Sequence, residues 1–122
     1  MILRRVQHKE TGHGPYRHWP NEEQPSPIYK MIQCHNGDRK HHPCPYNDGI
    51  TEYADNMHCA FVSEADLREW FKGHLRDLAD HGFVMAIVSV PYDNIRFGRI
   101  QAVYRDEVAT VLHTIPLTRE AS

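Results

Sequence analysis

Turn formers and apolar residues divide the chain into two unlike halves. Up to about residue 57 the apolar pieces are short, and they lie between "TGHGPY", "WPNEEQPSP", "HNGD" and "HPCPYNDG". "MILRRV" and "PIYKMIQC" alternate apolar or aromatic residues with polar ones, the two-residue period of a strand, so both are expected to be strands. Pro20, Pro25 and Pro27 predict a loop through the segment that holds them, because each fixes φ and removes a backbone donor. Asn36-Gly37 is the dipeptide that most readily adopts positive φ, which predicts a tight hairpin turn at "HNGD".

The second half is more regular. In "SEADLREWFKGHLRDLADHG", Leu67, Trp70, Phe71, Leu75, Leu78 and Ala79 recur at spacings of three and four, one apolar stripe of a helix over about 63–81. Ser63 is placed to cap it, Asp66 occupies the capping-box position, and Glu64 adds negative charge to the first turn. Gly82 is a C′ glycine that ends it. Gly73 in mid-helix costs about 1 kcal/mol relative to alanine, so a kink or a split into two helices is expected there. "FVMAIVSVP" is a nearly continuous apolar run between Gly82 and Pro91, the pattern of a strand buried on both faces. "YDN" and "RDE" are turns, and "IRFGRIQAVY" and "VATVLHTIPL" supply two more strands. The expectation is an α+β fold, a single domain over 1–122 with a mostly antiparallel sheet, one main helix and a loop-rich first half.

Composition narrows the class. With 122 residues, 40% hydrophobic and 25% charged, the chain can bury one core and is not disordered. A formal net charge of −2, with both signs interleaved, argues against extended nucleic-acid binding. No apolar run reaches the ~18 residues that span a bilayer. The apolar start is too short for a signal peptide, so the cytoplasm is the expected location. Three cysteines are an odd set and fit reduced thiols better than a disulfide scaffold, while ten histidines are the unusual feature.

Four stretches carry candidate chemistry. "CHNGDRKHHPCPYNDGI" suggests zinc by composition, with Cys34, His42, Cys44 and Cys59 as the alternative ligand set and His41 and His58 nearby. Its spacings match no paired knuckle, and adjacent pairs such as His41-His42 point apart in extended chain, so no metal is expected. Pro43, Pro45, Asp48 and Gly49 describe a shaped loop in which His42 and Asp48 are candidate ligand contacts. "TGHGPYRHW" places two glycines beside Tyr16, Arg17, His18 and Trp19, a mixture that suits a nucleotide, with aromatics for a base and arginine for phosphate; a packed turn is the competing reading. "MHCAFVSEADLREWF" runs a strand into a capped helix whose first turn is already occupied by Glu64 and Asp66, which disfavours an anion there. In "GRIQAVYRDE", alternation places Gln101, Val103 and Arg105 on one face, and a solvent-facing Gln101 is expected.

The order of these pieces resembles small proteins of phages and prophages. "GPY", "HHPCPYNDGI", "HCAFVSEADLREWF", "GFVMAIVSVP" and "GRIQAVY" follow one another as in that group, over roughly residues 2–117. More distantly, the second half is similar to the ADP-ribosyltransferase-like fold. That resemblance implies NAD-binding roles for Arg4 or Arg5 and for His58, and a late-strand role for Gln101. Most active transferases carry Glu at the late-strand position; glutamine is neither a general base nor a negative charge, which favours binding over transfer. The resemblance implies an antagonist of host antiviral defence in the host cytoplasm, acting on a nucleotide-type signal or on a defence-protein surface. The alternatives are an NAD-dependent ADP-ribosyltransferase using Arg5, His58 and Gln101, and a zinc-stabilised binding module. A homo-oligomer is compatible with the sequence.

Overall fold

A computed structural model describes residues 1–17, 23–54 and 56–118. His18 and Trp19, two of the candidate ligand-contacting residues, fall outside that set. The described strands are β1 (Ile2–His8), β2 (Met57–Ala60), β3 (Phe83–Ser89), β4 (Ile95–Phe97), β5 (Ala102–Arg105) and β6 (Thr110–Pro116). The helices are α1 (Ser26–Asn36), α2 (Glu64–Trp70) and α3 (Leu75–Asp80), with 3-10 turns at Pro45–Asp48, Tyr92–Asn94 and Asp106–Val108. The expected α+β fold is borne out.

The strands form two antiparallel sheets, ordered β1-β3-β6 and β2-β5-β4. One backbone pair ties them together: the N–H of Arg4 donates to the Phe61 carbonyl and the N–H of Phe61 to the Arg4 carbonyl, each at 2.8 Å. Beyond that pair β1 and β2 separate, and the space they leave becomes the main cleft.

β3 is buried on both faces, as its unbroken apolar sequence predicts, and alternation divides its side chains between two cores. Phe83, Met85 and Ile87 join Val6, Ile28, Met31, Phe61, Leu67 and Leu78 under the helices. Ala86 and Val88 join Leu3, Val90, Ile95, Ala102 and Tyr104 on the other side. Burying each large side chain contributes roughly 1.5–3 kcal/mol, so the central strand anchors both halves.

Two expected elements take another form. Ser26–Asn36 is a helix, not a strand, because Ile28, Met31 and His35 bury one face at helical spacing. Pro27 lies in its first turn, where a missing N–H costs nothing. Asn36-Gly37 therefore ends a helix rather than turning a hairpin; Gly37 has φ −83° and donates to the Gln33 carbonyl. "IRFGRIQAVY" is a hairpin of β4 and β5 with Ile95 opposite Tyr104, not one strand.

The main helical segment splits where the mid-helix glycine predicts. Ser63 Oγ accepts the Asp66 N–H at 3.1 Å to start α2. Gly73 then takes φ +86°, a left-handed conformation that starts a new axis before α3. Gly82 follows α3 at φ +90° and donates to the Ala79 carbonyl.

Candidate functional site

A cleft of about 750 Å³ opens where β1 and β2 separate, and Arg5, Tyr16, Arg17, His58, Cys59 and Gln101 are among the residues that line it. Strand alternation sets the floor. Arg5 follows the Arg4–Phe61 pair on β1 and is only 5% exposed. Its Nη2–H donates to the Gly12 carbonyl at 3.0 Å and its Nε–H to Gln7 Oε1 at 3.3 Å. The glycine loop lies close against it, since a Cβ on Gly14 would sit 3.4 Å from Nη2. Among the described residues no carboxylate forms an ion pair with Arg5. Burial lowers its pKa, and phenols, a thiol and Asp106 at longer range only partly offset that.

The walls are aromatic. Arg17 reaches over the Tyr53 ring, 5.8 Å from its centroid, and Nη2–H donates to the Tyr53 hydroxyl at 2.9 Å. Cys59 Sγ lies 3.9 Å from the same hydroxyl. Burial pushes the Tyr53 phenol up to about 12 and also raises the Cys59 thiol, so both keep their protons at neutral pH. On the opposite wall Trp70 Nε1–H donates to the Tyr16 hydroxyl at 2.9 Å. An indole N–H can only donate, so Tyr16 accepts there, and the same hydroxyl hydrogen-bonds His35 Nδ1. Part of the Tyr16 ring is exposed in the cleft, while burial of its hydroxyl raises that phenol too.

His58 projects from β2 with Nε2 3.0 Å from Asp106 Oδ1. Burial lowers its pKa and the charge of Arg5 adds to that, against the opposing effect of its hydrogen bond to Asp106. Asp106 is the residue the sequence reading missed; "RDE" is turn-forming, and nothing local shows that the turn returns its carboxylate to β2. Gln101 is buried rather than solvent-facing, because its strand packs against the "HPCPYNDG" loop and Nε2–H donates to the Pro43 carbonyl at 2.8 Å.

The remaining candidates lie elsewhere. Asp48 is buried away from the cleft, its carboxylate accepting the N–H groups of Ile100 and Gln101 at 2.9 Å each. It holds the β4–β5 turn, and that turn comes close enough for a Cβ on Gly98 to lie 2.3 Å from Asp48 Oδ2. His42 lines a second cleft of about 490 Å³ together with His35, His74 and Asp38. Its Nε2–H donates to the Trp70 carbonyl at 2.7 Å, and Trp70 borders both clefts. Cys34 and Cys44 are exposed, and Cys59 belongs to the main cleft. Among the described residues no three His, Cys, Asp or Glu side chains are grouped as metal ligands. No described helix is long and apolar enough to cross a membrane.

The structure therefore brings Arg5, Tyr16, Arg17, His58 and Gln101 together and leaves His42 and Asp48 outside. Over 61 residues the chain is 38% identical to the "Uncharacterized 19.7 kDa protein in motB-dexA intergenic region" of Enterobacteria phage T4, a stretch that is 49% of this chain and 37% of the T4 protein's length. No solved structure matches the chain, and the ADP-ribosyltransferase-like likeness rests on residue order alone. A family model described as Bacteriophage T4 Y00F protein matches residues 1–118, from β1 through the end of β6, and the chain belongs to that family.

Proposed function

We propose that this phage protein acts by binding: the main cleft takes a nucleotide-type ligand, and the protein thereby antagonises a host antiviral defence that signals with such a molecule. The observation that carries this reading is Arg5, a guanidinium 5% exposed and without a carboxylate partner among the described residues, at the base of a cleft with aromatic walls. A buried cation is costly unless something neutralises it, and phosphate is a natural counter-charge for a planar guanidinium. Tyr16 and Tyr53 offer ring faces for a base. Membership of a phage protein family fits an accessory role in infection.

The test is a thermal-shift screen of the purified protein against NAD, ADP-ribose and cyclic nucleotides. A ligand at 100 times its dissociation constant adds about 2.7 kcal/mol of stability, and Arg5→Met abolishes the shift. A screen with no shift, alongside a defence protein that co-purifies from infected cells, would move the reading to a protein surface.

A transferase reading draws on one observation: Arg5, His58 and Gln101 line the same cleft. Its weakness is Gln101, an amide tied to the Pro43 carbonyl. A labelled ADP-ribose adduct on a host protein, lost in Gln101→Ala, would establish transfer.

A further inference from the structure

His58 and Asp106 are arranged for more than holding a ligand. A carboxylate only accepts hydrogen bonds, so the 3.0 Å contact assigns the imidazole proton to Nε2 and leaves the lone pair on Nδ1. Nδ1 forms no hydrogen bond among the described residues and is not sealed from solvent. The ring is steadied edge-on by Tyr104, 5.7 Å between centroids. Burial and the neighbouring Arg5 and Arg17 hold the imidazole below its ordinary pKa, so it is neutral at pH 7 and able to take a proton.

Burial makes the phenol and thiol beside His58 poor proton donors, pushing Tyr53 up to about 12 and raising Cys59 as well. A bond whose leaving oxygen departs without being protonated suits this site better than an alkoxide ester. The bridging oxygen of a diphosphate leaves in that way, as phosphate.

We propose that the cleft hydrolyses the phosphoanhydride bond of its nucleotide-type ligand, with His58 as general base, Asp106 as the residue that positions it, and Arg5 stabilising charge on the phosphoryl oxygens. This rests on the cleft being the nucleotide site. In the step, water attacks phosphorus and gives one proton to His58 Nδ1. The bond from phosphorus to the bridging oxygen breaks and its electron pair leaves with the second phosphate. Two phosphomonoesters result, and His58 releases its proton to solvent beside the exposed Asp106. Arg5 acts as donors aimed at developing charge do in other sites.

The experiment incubates the full chain with ADP-ribose in excess EDTA and follows AMP by chromatography, while calorimetry measures ADP-ribose binding separately. The expected result is AMP formation that falls about 10²–10⁴-fold in His58→Asn, with that variant still binding ADP-ribose. Asp106→Asn is expected to lower turnover and to move the acid limb of the pH profile to lower pH, since Asp106 raises the His58 pKa. A loss of turnover in Asp106→Asn with an unmoved acid limb would refute the positioning role. Binding without AMP overturns hydrolysis and leaves the binding reading intact. AMP formation unchanged in His58→Asn overturns the assignment of the base. Absence of ADP-ribose binding overturns hydrolysis of this ligand, while the binding reading stands or falls on the thermal-shift screen.

Discussion

His35 lies flat on His42, with ring centroids 3.9 Å apart and planes within 11° of parallel. Both rings line the second cleft. On one side the Tyr16 hydroxyl hydrogen-bonds His35 Nδ1 and accepts from Trp70 Nε1–H. On the other, His42 Nδ1 lies 3.3 Å from Asp38 Oδ2 without a well-aligned hydrogen bond. Burial, with His42 and His74 adding to it, lowers the His35 pKa to about 3.

That relationship predicts acid sensitivity. His35 is neutral in the folded chain down to about pH 3, whereas in the unfolded chain it takes up a proton near pH 6.5. Between those values the unfolded state binds more protons, so stability rises with pH and is lost as pH falls from about 6.5 toward 3. The slope from this one group is at most about 1.4 kcal/mol per pH unit. Urea unfolding at a series of pH values should show the decline, and it should flatten in His35→Gln, whose amide can still hydrogen-bond Tyr16 but does not titrate. An identical acid limb in that variant would assign the loss to other groups.

Asp48 predicts a stability effect with no direct role in the cleft. Its carboxylate accepts backbone N–H groups from Ile100 and Gln101 across more than fifty residues of chain. Asp48→Ala strands those two donors in a partly buried turn and should cost about 2–6 kcal/mol, at about 1–3 for each unsatisfied group. Gly98→Ala should be comparably damaging, because its new methyl would collide with the same carboxylate. Chemical denaturation reads both. Small effects from the two changes would mean that the turn is held by other contacts.

What the sequence revealed depended on whether its signal was local. The Ser63 cap and the Gly73 break are each contained within a turn, and the stripe from Leu67 to Ala79 within one unbroken stretch of sequence; the cap and the break take their expected form. Over Ser26–Asn36 the strand expectation fails because Ile28, Met31 and Ile32 already stand at helical spacing among its apolar residues. His35 continues that spacing on the buried face. Arg5, His58 and Gln101 were grouped by the order of motifs, and strand pairing does bring them to one cleft. Asp106, Asp48 and the bond from Gln101 to Pro43 were illegible, because each joins residues about fifty positions apart.

Gly73 tests whether the helix break is conformational or steric. At φ +86° an L side chain is strained, yet a Cβ there would meet nothing within 4 Å. Gly73→Ala should therefore destabilise by only about 1–2 kcal/mol, the left-handed penalty alone. Thermal unfolding measures it, and a gain in stability would mean that α2 and α3 fuse into one helix in solution.

Arg5 offers the sharpest separation of stability from function. Its guanidinium is buried, its pKa is lowered by that burial, and no described carboxylate pairs with it. Exchanging a buried charge for an apolar side chain of similar length removes a desolvation cost of several kcal/mol. The loss is two hydrogen bonds, to Gln7 and Gly12, worth about 1.5–3 kcal/mol each when the donor is charged. Gly12 is partly exposed, so water can satisfy its carbonyl. Arg5→Met should thus unfold within about 1 kcal/mol of the parent, or above it, as such replacements often do, while losing affinity for anionic ligands. Arg5→Lys keeps the charge without the planar fork, and should recover part of that affinity. If Arg5→Met instead unfolds the chain, the guanidinium is there to hold the Gly12–Gly14 loop, and its charge is structural.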